Sequence, residues 1–433
     1  MVKDEKFQLL QLRAFSIALG FGTALLLAHS LGAEGYGRFE AAVAWSLLAS
    51  ILVLGGSQRF LVREIARARE TKDHASVRIW VASFGRHLSR RGVQIAGLST
   101  AVVLAFLLSG REELAARIAI ATLVFAPILV FLQKRQAVLQ GFEFPVLGQV
   151  GEFLVLPGTL TLSVVVLYLT DTIDVYPVLA GYGVAAILAA AIANVLARRS
   201  CPTAFERVDE ESPLDLAPLV RVFLWLEAFR ILDARIDLLL LDALDRGGEA
   251  GQFAAASRLA NLLAIVLLAA NTVLAPKLAR HHTAREHSAM QALLTTTARA
   301  TFALALPVTA AVVAFGPSIL DLLGDDFGPA ERPLWILLGA QFFNVAAGSA
   351  GVLLQMAGEE KRVLRVLVWT SVLHLAASSV LIPRYGALGA AIATGASIVG
   401  WNLSLALSAR RHCRLDSTIL GLRAGPGSGL GEG

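Results

Sequence analysis

The chain has 433 residues, 56% of them hydrophobic and 16% charged, with a mean hydropathy of +0.66. Soluble domains run at about 45–50% apolar and about 25% charged, so this composition excludes a soluble globule and points to an all-α polytopic membrane protein. The formal net charge of +5 is no nucleic-acid signal, because in such a protein the placement of the bases matters more than their sum. The two cysteines, Cys201 and Cys413, form neither a disulfide framework nor a metal-ligand spacing, and phosphate-loop, zinc-protease and CxxC patterns are absent.

The N-terminus opens basic and turns apolar, as a secretion signal does, but Ser16 to Leu31 runs straight into further spans and reads as a retained first helix. Twelve apolar segments of spanning or near-spanning length occupy 13–32, 37–57, 93–109, 114–133, 146–169, 177–197, 217–241, 252–275, 299–323, 333–357, 363–382 and 386–408. The third is short and the seventh is charged. Val62 to Arg86 reads as a basic helix on the membrane surface, and Ser200 to Pro218 as an acidic, Pro-containing linker. Gly425 to Gly433 is a flexible tail. The N-terminal flank and every second loop after it hold 29 of the 38 Lys and Arg residues, and the opposite side holds 6. The positive-inside rule therefore places both termini in the cytoplasm. It also predicts that an impermeant maleimide reaches Cys201 and Cys413 only from that side.

The seventh segment is the unusual one. An ionisable group at mid-bilayer depth costs roughly 2.5–3.5 kcal/mol on insertion scales, so such groups face a cavity or a partner. This segment nevertheless carries Glu227, Arg230, Asp233, Arg235 and Asp237. At about 100° per residue, Glu227, Arg230, Asp233 and Asp237 share one third of the helix circumference, and Arg235 falls off it. Spacings of three and four make the stripe self-pairing. The next helix answers with Arg258 and Asn261. The stripe reads as the polar wall of a transport pathway. Internal salt bridges, or an amphipathic helix lying on the membrane, are the structural alternatives. Arg230 and Arg258 are expected at a common depth, roughly 10 Å below the outer surface, with Asp233 and Asp237 as their resting partners.

The two halves look related. Gly37, Phe39, Ala41, Ala42, Leu48, Ile51 and Leu54 recur at a constant offset of 214 as Gly251, Phe253, Ala255, Ala256, Leu262, Ile265 and Leu268. A six-span repeat preserves direction, so it predicts two pseudo-two-fold-related six-helix lobes with the path between them. The expected division is 1–199 for the first lobe, 200–216 for a cytoplasmic linker, 217–408 for the second lobe and 409–433 for the tail.

Three stretches carry a resemblance. LLLAHSLGAEGYGRFEAAVAW (Leu25 to Trp45), RIDLLLLDALDRGGEAGQFAAASRLANLL (Arg235 to Leu263) and LIPRYGALGAAIAT (Leu381 to Thr394) are similar, in order and spacing, to stretches of bacterial polysaccharide-biosynthesis membrane proteins. Together they resemble the oligosaccharide flippase branch of the MOP exporter superfamily. The resemblance implies two six-helix lobes that move an undecaprenyl-pyrophosphate-linked oligosaccharide from the inner to the outer leaflet of a bacterial or archaeal plasma membrane. It implies a cationic cavity, with Arg13 at the place of a recurrent helix 1 arginine and Arg258 at that of a helix 8 arginine. The acids of the seventh helix depart from a purely cationic cavity and point to a coupling-proton site.

A flippase needs a wet polar path for diphosphate and sugars and a lateral gap for the lipid tail. Arginine suits the first, because its planar fork binds phosphate oxygens in pairs. Arg258, Arg230, Arg13, Arg235 and Asn261 are the expected substrate-binding residues. Glu227, Asp233 and Asp237 are the expected proton-coupling or ion-pair residues, since burial raises a carboxylate's pKa. Partners are the polyprenyl-pyrophosphate-linked oligosaccharide and membrane lipids, with polysaccharide assembly proteins and a coupling proton or sodium ion as candidates. No cofactor, metal, catalytic residue or nucleic acid is expected. An ion-coupled drug or small-metabolite antiporter of the same superfamily is the alternative. A membrane-embedded polymerase or ligase fits less well, because the outer loops are too short to build its chemistry.

Overall fold

The computed structural model describes residues 2–206 and 217–421. Most of the expected linker at 200–216 and the Gly-rich end of the tail lie outside the described residues. By packing, the chain divides into two compact units, Met1–Gly251 and Gln252–Gly433. The six-and-six division by repeat remains an expectation carried into the function proposed below.

The first unit opens with α1 (Val2–Leu54), broken at Gly32, where φ 65° and ψ 180° leave the helical region. Its apolar part, Gln11–Leu54, is 44 residues, which at about 1.5 Å each is roughly twice the hydrocarbon thickness. The two legs therefore make two crossings. α2 (Ser57–Glu70) follows a Gly55–Gly56 pair with φ 58° and 70°. It is amphipathic: Phe60, Leu61, Ile65 and Ala68 recur at helical spacing and are buried on a core shared with Phe84 and Leu139. Each fully buried large apolar side chain stabilises by about 1.5–3 kcal/mol. The arginines of α2 stay outside that core.

α3 (His74–Leu108) is capped by Asp73, whose carboxylate accepts from the Ser76 N–H and hydroxyl. Those hydrogen bonds hold the Asp73 carboxyl below its usual range. The basic surface helix expected at Val62 to Arg86 is thus two elements, α2 and the first third of α3. Hydropathy trimmed the third span to 93–109 because Arg78, Arg86, Arg90 and Arg91 lie in its inner part; a 35-residue helix of about 52 Å simply outruns the bilayer.

α4 (Glu112–Ala119) continues through a π segment, Ile120–Phe125, into α5 (Ala126–Gly141). α6 (Pro145–Val150) continues through Gly151–Val155 into α7 (Leu156–Leu169). Pro127 and Pro157 follow the two π segments by two residues, and a proline has no N–H to continue the regular ladder. α8 (Val175–Ser200) and α9 (Ala217–Ala243) come next. α10 (Gly247–Ala260) is followed in the second unit by α11 (Leu262–Thr283), α12 (His287–Leu323), α13 (Glu331–Ala347), α14 (Ala350–Met356) and α15 (Glu360–Ser408). α15 breaks at Gly386 (φ 54°). A Cβ on Gly389 would overlap the Leu381 carbonyl, so the two legs of α15 fold closely on each other and only glycine fits the turn.

Among the described residues eight helices are long and apolar enough to cross a membrane, or nine with the bent pair α13 and α14. Taking the legs of α1 and α15 separately and adding the charged α9 gives the twelve crossings expected. The all-helical multi-pass architecture is the one the sequence predicts.

Candidate functional site

In the first unit, a small cavity of about 120 Å³ opens where the second leg of α1 ends and α2 begins. Leu54, Gly56, Gln58 and Arg59 form one side, Gln133 of α5 another, and Glu227 and Arg230 of α9 the third. Glu227 is buried and accepts from Arg230 Nε at 2.8 Å and from Arg59 Nη2 at 3.1 Å. The two guanidiniums are half-open, with 53% of the Arg230 side chain and 68% of the Arg59 side chain exposed. A guanidinium has five N–H donors, so each arginine keeps donors beyond those it gives Glu227. The cluster carries one net positive charge and two amides. It can take a multiply charged oxyanion at its mouth while Glu227 keeps the two forks converging.

The local sequence explains the convergence. Gly55 and Gly56 turn the chain out of α1 with positive φ, so the first turn of α2 lands beside α9. Ser57 donates to the Leu54 carbonyl and fixes the corner. In the sequence Arg59 is only one of the 29 bases on the N-terminal side, and Gln133 closes the fourth apolar segment without a charge to mark it. The Gly-Gly break just before Arg59 was the available signal.

The α9 stripe is not one environment. Glu227 and Asp237 are buried, Asp233 and Arg235 are half-buried, and Arg230 is exposed. Arg230 pairs with Glu227, one turn earlier on the same helix, at 2.8 Å. α9 runs to Ala243, so Arg230 lies 13 residues from that end, roughly 20 Å and twice the expected depth. Arg13, in the first leg of α1, is half-buried with its guanidinium 5.4 Å from the Phe153 ring centroid. Its Nε is buried without a hydrogen-bond partner among the described residues.

In the second unit, Arg258 is half-buried in the last turn of α10. Asn261 breaks that helix from α11, and its side-chain oxygen accepts from Gln341 Nε2 at 2.7 Å. Asn344 donates to the Gln341 oxygen at 2.9 Å, which extends a row of amides.

A second polar cluster in the first unit was not anticipated. Asp242 of α9 and Arg117 of α4 pair at 2.9 Å with side chains 1% and 3% exposed. Trp45 donates to the other Asp242 oxygen at 3.0 Å. Glu113 pairs with Arg38 at 2.9 Å, and Arg38 with Glu34 at 2.6 Å. The cluster ties α1, α4 and α9 together beside a backbone-on-backbone contact. A Cβ on Gly37 would overlap the Gly247 carbonyl, and one on Gly251 would overlap the Ala33 carbonyl.

The polysaccharide biosynthesis protein family matches residues 9–282 of this chain, more than half of it, and the MatE family matches residues 251–380. No curated protein matches it by sequence. Among solved structures, the inward-facing conformation of a multidrug resistance MATE family transporter of the MOP superfamily is 15% identical, with a TM-score of 0.71 over 92% of this chain and 94% of that one. Lipid II flippase MurJ in an inward closed conformation is 14% identical, with a TM-score of 0.68 over 92% and 86%. A MOP superfamily transporter from Pyrococcus furiosus, described by the reverse polarity of its binding pocket, is 15% identical, with a TM-score of 0.55 over 93% and 94%. At these identities the likeness carries the fold, which is of the MOP type expected.

Proposed function

We propose a flippase for lipid-linked sugars, on the premise that the chain belongs to the polysaccharide biosynthesis protein family. It carries a polyprenyl-pyrophosphate-linked oligosaccharide from the inner to the outer leaflet, by alternating access between the two six-helix lobes of the repeat. The MurJ fold likeness supports the choice of a lipid-linked cargo, and the positive-inside asymmetry supports cytoplasmic termini in a bacterial or archaeal plasma membrane.

The observation that carries the reading is the convergence of Arg59 and Arg230 on buried Glu227. A diphosphate offers more negative charge than one carboxylate and matches two guanidinium forks. Cargo binding would exchange Glu227 for phosphate oxygens as the partner of both arginines. That exchange gives cargo a differential affinity for one state, which any population shift requires. Arg13, Arg235, Arg258 and Asn261 are proposed to line the path, with Asp233 and Asp237 as coupling or ion-pair groups. The MatE match favours a second reading, an ion-coupled drug or small-metabolite antiporter, for which those same acids would be the coupling groups.

The test is export of the surface polymer in a deletion strain complemented with Arg59→Ala, Arg230→Ala and the double variant, with membrane levels checked by blotting. We expect the double variant to reach normal level, lose export and leave lipid-linked repeat units on the cytoplasmic face. Full export by the double variant would overturn the assignment of the cavity. Wild-type protein that exports drugs or small metabolites and leaves lipid-linked units unmoved would favour the antiporter.

A further inference from the structure

We propose that the first unit holds an anionic phospholipid in a groove between α3 and α5, with its phosphate on Lys134 and one acyl chain along the groove. The inference stands apart from the transport reading and uses none of its residues. The groove has a volume of about 430 Å³ and is lined by Gly92 and Ile95 of α3, by Val130 and Phe131 of α5 and by other apolar side chains. That is room for one acyl chain and is short of a long polyprenyl chain. Gly92 opens it, since no atom lies within 4 Å of where its Cβ would stand.

One end is cationic. Lys134 lines the groove there, with its Nζ 2.6 Å from where a Cβ on Gly85 would stand, and Ser89 lies alongside. Arg135 follows it, 8% exposed, with its guanidinium 4.7 Å from the Phe131 ring and 4.5 Å from the Phe205 ring. Arg198 stacks on that same Phe205 ring at 5.6 Å. Among the described residues no carboxylate pairs with Lys134, Arg135 or Arg198, and the buried Arg135 Nε has no hydrogen-bond partner. The nearby acids are taken: Glu143 pairs with Arg69 and Glu206 with Arg78.

Three clustered cations with no acid partner among the described residues, one of them more than nine-tenths buried, call for an anion. Beside an apolar groove that opens to lipid, the phosphodiester of an anionic membrane lipid supplies charge and chain together. Basic pockets between membrane helices on the cytoplasmic side bind such headgroups by this mechanism. Phosphatidylethanolamine, with no net charge, would satisfy the chain and not the cluster.

The experiment measures lipid retention by native mass spectrometry on the purified full chain. Phosphatidylglycerol and phosphatidylethanolamine with identical acyl chains are the probes. Wild type should keep phosphatidylglycerol preferentially. Lys134→Gln should lower its affinity about fivefold, the worth of one surface cation toward anionic lipid, and leave phosphatidylethanolamine unchanged. Lys134→Arg should keep the preference, and Gly92→Phe, which fills the groove, should weaken both lipids. A monodisperse elution profile qualifies each variant as folded. Equal retention of the two lipids by wild type, or an undiminished preference in Lys134→Gln, would overturn the proposal. So would displacement of phosphatidylglycerol by equimolar polyprenyl phosphate, which would assign the groove to the cargo.

Discussion

At Gly37 and Gly251 one methyl group is enough to break a packing contact. A Cβ on either would enter the carbonyl of the facing helix, at Gly247 and Ala33 respectively. We expect Gly251→Ala to destabilise by about 1–3 kcal/mol, the usual cost of forcing atoms into a full site. Gly248→Ala, where nothing lies within 4 Å, should be neutral or stabilise by up to about 1 kcal/mol through chain entropy. Fluorescence-detected thermal unfolding of detergent-solubilised protein separates the two. Cys201 is the other residue whose surroundings change a sequence expectation. Its side chain is buried in the core of the first unit, and burial pushes the thiol up to about 11. The maleimide label expected there from topology alone should therefore be slow from either face. The thiolate is the reacting form and its share rises with pH below that value, so labelling should speed up about tenfold per pH unit between pH 7 and 9. Fast labelling at pH 7 would contradict this burial.

At the scale of elements, α9 is held at one end by the Asp242–Arg117 pair and near its middle by Glu227. The Asp242 pair is buried, so removing one partner leaves the other charge stranded. Asp242→Ala should cost about 3–5 kcal/mol, and the double variant Asp242→Leu with Arg117→Leu should recover most of it. A double variant no more stable than Asp242→Ala would show that the pair is worth more than well-packed apolar side chains. Helix ends were the least legible elements, and the turns say why. The residues with left-handed φ after α2, α5, α7, α9 and α11 are Lys72, Glu143, Asp171, Asp245 and Arg285. Each closes its helix with the same pattern, as where Arg246 N–H donates to the Leu241 carbonyl and Asp245 N–H to that of Asp242. Without glycine at these positions the usual stop signal is missing from the sequence.

For the whole molecule, the 214-residue offset has a geometric consequence. Adding it to Ala33 and Gly37 gives Gly247 and Gly251. The Gly37–Gly247 contact and the Gly251–Ala33 contact are therefore the same contact with the partners exchanged, as a local two-fold axis requires. Orientation is the other whole-chain property. We expect Cys413 in a Cys201→Ser background to label in inverted vesicles, and a Ser109→Cys thiol, in the exposed turn after α3, to label from outside. Label on Cys413 from outside would reverse the assigned orientation.

The all-helical class, the twelve crossings, the alternation of bases and the charged seventh helix were legible in the residues themselves, because hydropathy and charge are local properties that the bilayer sorts directly. The breaks at Gly32 and Gly386 fall inside two of the stretches that carry the resemblance, and their backbone angles are ones that glycine suits. Which charges meet was decided only in three dimensions. Arg59 and Glu227 are far apart in the chain, as are Arg117 and Asp242, and neither pair has a helical spacing to betray it. Their partners depend on which helix faces which, and that is set by small-residue contacts such as Gly37 on Gly247 and by corners such as Gly55–Gly56, whose effect is felt a whole helix away.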